Sequence, residues 1–539
     1  KKSQATILVD LATSTGVELF HTPGSDGRGY ATIPVGGHHE TWRLGTRGFR
    51  LWLRRLFWEQ SNKSPNSQAL QDAMGVLEGK AIFDGQEHET AVRISGDDNC
   101  IFVDLANEAW QAVKITADGY EVIDNPPVKF VRPRGVLPLP IPESGGTLDE
   151  LRPFINVADE QSFVLLVGWI VMAFRPSGPY PLLQLNGEQG SAKSTACRVA
   201  RLLIDPNESA LRSEPREARD LMIAATNGWV VALENLSSIP VWLSDALCSL
   251  STGGSFATRQ LYSNDEETLF TAMRPVVMNG INEVATRSDL MDRAVSLTLP
   301  AIPDENRLSE REFWNNFESA KGRLFGALLD AVSVAIRNLA SVTLTEHPRM
   351  ADFAEWAQAA EPTFGCPPGT FATAYAENRS SLNEVAVESS RIAAPLLKHL
   401  ENLSEWTGTA SELLDILTEI TDDRTAKQRD WPKKPHLLSG QLRRIAPNLR
   451  KMGIDVQFDR EGKRGRRIIK IRMGMQNSVQ SVQSVQSSDS VRPPCVRTVH
   501  LASTQNPEKQ GKNGEVDAVD AVDAKSRTHS KEEDTVWTA

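Results

Sequence analysis

The chain has 539 residues, 40% hydrophobic and 24% charged, with a net charge of −10 at neutral pH. That is the composition of an ordinary water-soluble protein of about three or four domains, with enough apolar material for a sizeable core. The acidic balance excludes a protein coated with nucleic acid all over, and five scattered cysteines (Cys100, Cys197, Cys248, Cys366, Cys495) without a CxxC pair exclude a zinc ribbon and suit a reducing cytoplasm.

In chain order, residues 1–145 read as a mixed α/β region. Thr46–Trp58 (TRGFRLWLRRLFW) has the pattern of an amphipathic helix. Short apolar runs such as 91–94 and 100–105 predict a small β-rich unit over 81–133, and the prolines of 132–142 predict a linker. No secretory signal opens the chain, which begins at Lys1 rather than methionine, as a fragment of a longer protein would. Phe163–Phe174 (FVLLVGWIVMAF) is too short to span a bilayer and predicts a buried helix, so no membrane partner is expected.

Residues 146–304 alternate strand and helix signals, as an α/β nucleotide-binding domain does. Within them, Leu182–Ala200 reads LLQLNGEQGSAKSTACRVA. An apolar strand, a small-residue loop (Gly187, Glu188, Gln189, Gly190, Ser191, Ala192) and a helix opened by Lys193, Ser194 and Thr195 make the layout of a phosphate-binding P-loop. Small residues let successive N–H groups face phosphate oxygens, and the helix N-terminus adds positive potential. ATP and Mg²⁺ are the expected ligands, with Lys193 on the β/γ-phosphates and Ser194 on the metal. Ala192 stands where the strict pattern has glycine, which is uncomfortable if φ there must be positive.

A P-loop needs an acid on a neighbouring strand. The strand Trp229–Leu233 ends in Glu234-Asn235, which makes Glu234 the expected acid and second metal contact. A second carboxylate would be expected at Asn235. Glu234 serves both roles, or Asp245 approaches from the next helix, or hydrolysis is slow. Residues 253–262 (GGSFATRQLY) predict a hairpin that could track a nucleic-acid backbone through Arg259, or be a plain edge hairpin. The strand around Val276–Ile281 ends in Asn279, suited to touching the γ-phosphate or simply to forming a turn. In RSDLMDR, Arg293 and then Arg287 suit an arginine finger toward a neighbouring subunit, against the alternative of a salt bridge to Asp289 or Asp292.

Residues 305–402 are helical in pattern. Residues 403–473 form a basic unit, with 16 Lys/Arg against 9 Asp/Glu over 406–473. Helical patterns at 409–420 and 437–452, the second interrupted at Pro447, precede two strand-like runs around EGKRGR, a winged helix-turn-helix layout. Arg443, Arg444, Arg450 and Lys451 on the helix and Lys463, Arg464, Arg466 and Arg467 on the wing are the candidate DNA contacts, a solvated basic face being the alternative. Triplet repeats (SVQSVQSVQ, VDAVDAVDA) and low apolar content predict a disordered tail over 474–539.

Taken in order, GEQGSAKST (187–195), VVALEN (230–235), GGSFATRQLY (253–262), VVMNGI (276–281) and DLMDR (289–293) resemble the superfamily 3 type of AAA+ helicase, in particular phage and mobile-element primase-helicases of the poxvirus type. The resemblance spans roughly residues 80–473 and implies an ATP-driven DNA motor, a homo-oligomeric ring, usually a hexamer, around one DNA strand, and ATP between subunits. It places any primase upstream of Lys1, since residues 1–145 offer no convincing primase carboxylate set. The expected function is an ATP-dependent DNA helicase or remodelling motor in replication of a phage, plasmid or integrated element. The competing expectation is a nucleotide-switched DNA-binding initiator, which Asn235 favours. A P-loop kinase would need an acceptor pocket and a lid, and neither pattern is present.

Overall fold

The computed structural model describes residues 2–24, 27–259, 267–280, 287–401, 403–428, 431–461 and 465–473, with the side chains of 255–271 outside that description. It is a mixed α/β fold. The expected tail, 474–539, lies outside the described residues.

The N-terminal 83 residues fold around a core of their own that includes Leu8, Ala31, Phe49, Leu53 and Leu77. Strands Glu18–His21, Gly29–Val35, His38–Arg43 and Gln86–Glu87 make a four-stranded sheet covered by helices Gln4–Ser14, Arg47–Ser61 and Ser67–Phe83. The predicted helix at Thr46 starts there because the Thr46 hydroxyl caps it, accepting from the Phe49 N–H. Phe49, Leu53 and Phe57 then follow at four-residue spacing, which lines them along one buried face.

Next comes an antiparallel meander of Ile94–Gly96, Cys100–Asp104, Ala112–Thr116 and Gly119–Ile123. Its inward residues, Ile101, Val103, Val113 and Ile115, pack into one core with Trp169 and Phe325 much later in the chain. The expected strand at 91–94 is broken, because Arg93 takes a left-handed φ of 66° and turns its side chain inward. The proline-rich stretch is not a free linker. Leu137 N–H donates to Pro206 O and Leu139 N–H to Leu105 O, and Leu139 is buried in the shared core. Prolines lack N–H donors, so this strap can run extended while its few donors are satisfied by neighbours.

The central sheet is parallel, with four strands in the order Val231–Leu236, Val276–Gly280, Leu182–Asn186, Ala294–Thr298. We call them the acid, asparagine, loop and closing strands. The loop and asparagine strands are buried at every position, as strands covered on both faces must be. Helix Glu160–Met172 is buried along ten consecutive residues behind the sheet, as its uniformly apolar sequence predicts.

The helices Glu310–Asn338, Ala351–Ala360 and Thr370–Glu388 were expected as a separate helical region, but they share the core of the sheet domain. Glu310–Asn338, with the turn after it, is long and apolar enough to cross a membrane. Its apolar stripe (Phe317, Leu324, Phe325, Leu328, Val332) is instead buried against the meander and its helical neighbours. A distinct core begins at Val387 and Ile392, so helix Ala393–Leu400 packs with the basic C-terminal module rather than with the helices before it.

Candidate functional site

The glycine-rich loop leaves the C-terminal end of the loop strand. Gly187 has φ 146°, and a Cβ there would sit 2.5 Å from Leu299 O, so the close approach admits only glycine. The Ser191 hydroxyl donates to Glu188 O at 2.9 Å and ties the turn. Lys193 then opens a twelve-residue helix, and its Nζ donates to Gly187 O (2.7 Å) and Glu188 O (2.6 Å). Desolvation draws the Lys193 ammonium below its ordinary pKa. Ser194 and Thr195, half-buried in the first turn, stand beside it. Chemically this is an anion cradle: a helix N-terminus, a turn of small residues and one ammonium.

Ala192 does adopt positive φ, 61°. An L-residue pays for a left-handed conformation that glycine occupies freely. Ala192→Gly is expected to stabilise the fold by up to about 1 kcal/mol, because the left-handed penalty exceeds glycine's extra chain entropy. A rise in the urea midpoint checks this, and a fall would contradict it.

Glu234 and Asn279 lie near the C-terminal ends of parallel strands, on the same edge of the sheet as the loop. The asparagine strand lies between the loop and acid strands and pairs with both. Glu234 is half-buried, and its N–H donates to Arg212 O at 2.8 Å, which anchors the outer side of the acid strand. After it the strand breaks register between Leu233 and Leu236, with Asn235 at φ 54°. The side chain of Asn279, 2% exposed, holds this break: its Oδ1 accepts the Asn235 N–H at 2.9 Å. Its Nδ2 donates to Cys197 Sγ, 3.4 Å away on the helix that follows the loop. Burial pushes the Cys197 thiol up to about 12, so the sulfur stays protonated and can accept that contact only weakly. Asn279 thus ties the acid strand to the loop helix, and both ends of its amide are engaged within the chain.

Neither candidate finger is free. Arg293 is largely buried, and its Nη1 is held by Asp289 Oδ1 at 2.6 Å and by Asp289 O. Arg287 Nη1 binds Asp245 Oδ1 at 2.7 Å and Val241 O. That pairing also engages Asp245, the carboxylate considered as a partner for Glu234. The salt bridge, the alternative weighed for these arginines, is what the structure contains, with Asp245 replacing Asp289 or Asp292 as the partner of Arg287.

Sequence reasoning missed a cavity beside the loop. About 530 Å³ in volume, it is lined by Gly190, Ala192, Thr195, Phe154, Trp314 and Arg307 among others. Asn156 fixes its wall, donating to Ser191 O and Pro300 O. Arg307 reaches back to the loop, its Nη2 only 2.9 Å from where a Gly190 Cβ would be. No local pattern signals this wall, because 153–156 and 302–314 are far apart in sequence and meet only through the shared core.

The strand expected within 253–262 forms as Ser255–Arg259, but its hairpin partner, Glu267–Thr271, lies beyond the expected segment; the Arg259 side chain lies outside the described residues. In the C-terminal module, helices Ala410–Ile420 and Pro435–Lys451 precede the antiparallel strands Ile454–Glu461 and Arg466–Met473. A third strand, Glu405–Gly408, pairs with the last one. Pro447 does not interrupt its helix, which runs on to Lys451; as a proline inside a helix it forfeits one backbone hydrogen bond to the preceding turn. Of the candidate DNA contacts, Arg443, Arg444, Arg450 and Arg467 are exposed. Lys451 is not available: it pairs with Asp292 at 2.6 Å and with Asn383, docking the helix on the sheet domain. Arg466 pairs with Glu412 at 2.8 Å. Lys463 and Arg464 lie outside the described residues. Arg443 stacks over Phe458 and shares a groove with Arg467 and Arg460, the last unforeseen.

Against known families, residues 148–386 match the model described as "Actinomycete integrative conjugative element replication protein", and 392–488 match "AICE RepA C-terminal domain". No curated protein matches the chain. Among solved structures, an apo form of the NrS-1 C-terminal region is similar at 12% identity and TM-score 0.39, covering 88% of this chain and 100% of that one. A second structure of that region has 11% identity and TM-score 0.37, with the same coverage. The two family matches, adjoining and in chain order, support a replication protein of a mobile element.

Proposed function

We propose that this mobile-element replication protein is an ATP-dependent DNA motor of the AAA+ type, resembling superfamily 3 helicases. One observation carries the reading. A glycine-bounded loop, a Lys-Ser-Thr helix start and an acid share one edge of a parallel sheet, with the asparagine strand between loop and acid strands. ATP is the substrate, its phosphates held by the loop N–H groups and Lys193 and its base in the cavity between Phe154 and Trp314. Ser194 and Glu234 are the residues that fit Mg²⁺. Mg²⁺ takes most of its ligands from phosphate and water, so one hydroxyl and one carboxylate suffice from the protein. Mg²⁺ bound with ATP neutralises phosphate charge. Glu234 orients the attacking water, and Asn279 keeps Glu234 in register with the loop.

The partner is DNA, single-stranded along the sheet domain and duplex at the C-terminal module, where Arg443, Arg460 and Arg467 would contact phosphates. We assign the protein to the cytoplasm and to a homo-oligomeric ring, probed by light scattering with and without nucleotide. Since Arg293 and Arg287 are both engaged within the chain, a finger role for either requires its ion pair to open on assembly.

ATP hydrolysis with and without single-stranded DNA tests the reading. Stimulation by the DNA is the expected result. Tight ATP binding with negligible turnover in both conditions would overturn the motor and leave a nucleotide-switched DNA-binding initiator. Asn235 favours that second reading, because a pinned left-handed asparagine stands where a second carboxylate would serve fast hydrolysis.

A further inference from the structure

A second basic surface lies outside the C-terminal module. It is a groove of about 860 Å³ where the N-terminal module, the proline-rich strap and the sheet domain meet. Six arginines line it (Arg28, Arg43, Arg47, Arg132, Arg134 and Arg274) and no acid does, in a chain of net charge −10. Two of the six are structural. Arg132 is held by Asp104 and stacks on Trp110, while Arg274 donates to the carbonyls of Ala225, Gly228 and Met273. The other four make no ion pair among the described residues, and Arg43, Arg47 and Arg134 are exposed. Guanidinium groups gathered without counter-charge repel one another, a cost that an anionic ligand would remove.

The same groove holds an aromatic platform. Trp42 lines it, with its ring seated on Gly48 in the first turn of helix Arg47–Ser61, where a Cβ would be 1.9 Å from the indole. Trp42 Nε1 donates to Glu40 Oε2 at 2.7 Å, which fixes the ring's orientation. The far wall includes Ala272, the residue after the hairpin strand that ends at Thr271. A ring held against Gly48 and by its Nε1 edge to Glu40, beside guanidinium groups, is what a strand of unstacked bases needs: a π-face for a base and cations for successive phosphates. Duplex bases are already stacked and cannot use such a face.

The geometry points to a single-stranded DNA path through this groove, with Arg43, Arg47 and Arg134 on phosphates and Trp42 beneath a base. This inference rests on the DNA-binding part of the reading above but not on hydrolysis, because the groove shares no residue with the loop cavity.

The test is fluorescence anisotropy of labelled oligo-dT with the full chain, comparing wild type with the triple variant Arg43→Gln/Arg47→Gln/Arg134→Gln. All three residues are exposed and make no ion pair among the described residues, so the fold should tolerate the change. Affinity is expected to fall roughly tenfold or more, and the slope of log K against log salt to shrink by about 0.7 for each guanidinium removed. Trp42→Leu should weaken oligo-dT binding with the salt slope unchanged. An Arg443→Gln/Arg467→Gln variant, altered at the duplex contacts proposed above, should lose less oligo-dT affinity than the triple variant. Wild-type affinity and slope in the triple variant would overturn the path, as would a wild-type chain that binds no oligo-dT, or a loss confined to duplex DNA or RNA. If binding depends on the groove but DNA does not stimulate hydrolysis, the motor reading fails and the groove stands.

Discussion

Arg93→Ala is expected to destabilise the protein by about 3–5 kcal/mol, because it removes one partner of a fully buried ion pair. Both Arg93 and Asp205 have no side-chain exposure, and Nε meets Oδ1 at 3.0 Å. Both remaining nitrogens of the guanidinium fork donate to carbonyls: Nη1 to Asp104 O, Nη2 to Leu137 O and Pro206 O. The other carboxylate oxygen accepts the N–H groups of Trp229 and Val230, at the start of the acid strand. The pair therefore joins four things: the meander, the strap, the end of the helix that begins at Lys193 and the entry to the acid strand. Losing Arg93 leaves a carboxylate and three carbonyls buried and short of donors, and each unpaired group adds its own desolvation cost. Urea unfolding reports the loss as a lower midpoint. Limited proteolysis should find new cutting sites in 132–142 as the strap loses the donor that holds Leu137 O. A change below about 1 kcal/mol, the scale of an ordinary surface pair, would mean water reaches the site.

That ion pair also shows where sequence reasoning stops. Residues 182–200 could be read because the strand, the loop and the helix are contiguous, and each local preference agrees with the others. The same holds for the strands ending at Glu234 and Asn279, apolar runs closed by a polar residue, and for the positive φ suspected at Ala192. Arg93 and Asp205 lie 112 positions apart, and nothing local distinguishes them from surface charges. The proline-rich strap looked like a linker because prolines resist helix and sheet, but the structure uses its extended form to close the core. The separate helical region failed for a related reason. Helical periodicity reveals an apolar face without saying which partner covers it, and here the partner is the sheet domain. Charge misleads in the same way: Lys451 and Arg293 are cations by sequence, and Asp292 and Asp289 claim them in the fold.

Glu234→Gln is expected to lower ATP turnover by about 10²–10³-fold while nucleotide still binds, since a neutral amide at that position can no longer stabilise charge at the attacking water. Lys193→Ala should cost at least as much, but through binding too, because the ammonium that reaches the loop carbonyls from the helix start is lost. The two variants thus separate a role in chemistry from a role in holding phosphate. Asn279→Ala provides the third comparison. It leaves the carboxylate in place but removes the Oδ1 that accepts the Asn235 N–H, so the left-handed break after Glu234 loses its anchor. Turnover should fall by a smaller factor, with ATP affinity near wild type, because the loop residues are untouched. Asn279→Asp keeps an acceptor for Asn235, so it should restore the register of the acid strand. It also adds a buried negative charge near Glu234, so turnover should recover less completely than stability does. If Asn279→Ala instead abolished nucleotide binding while leaving the thermal midpoint unmoved, Asn279 would be contacting the nucleotide directly rather than positioning the acid. Steady-state kinetics, fluorescent-nucleotide titration and thermal unfolding of the four variants distinguish these cases.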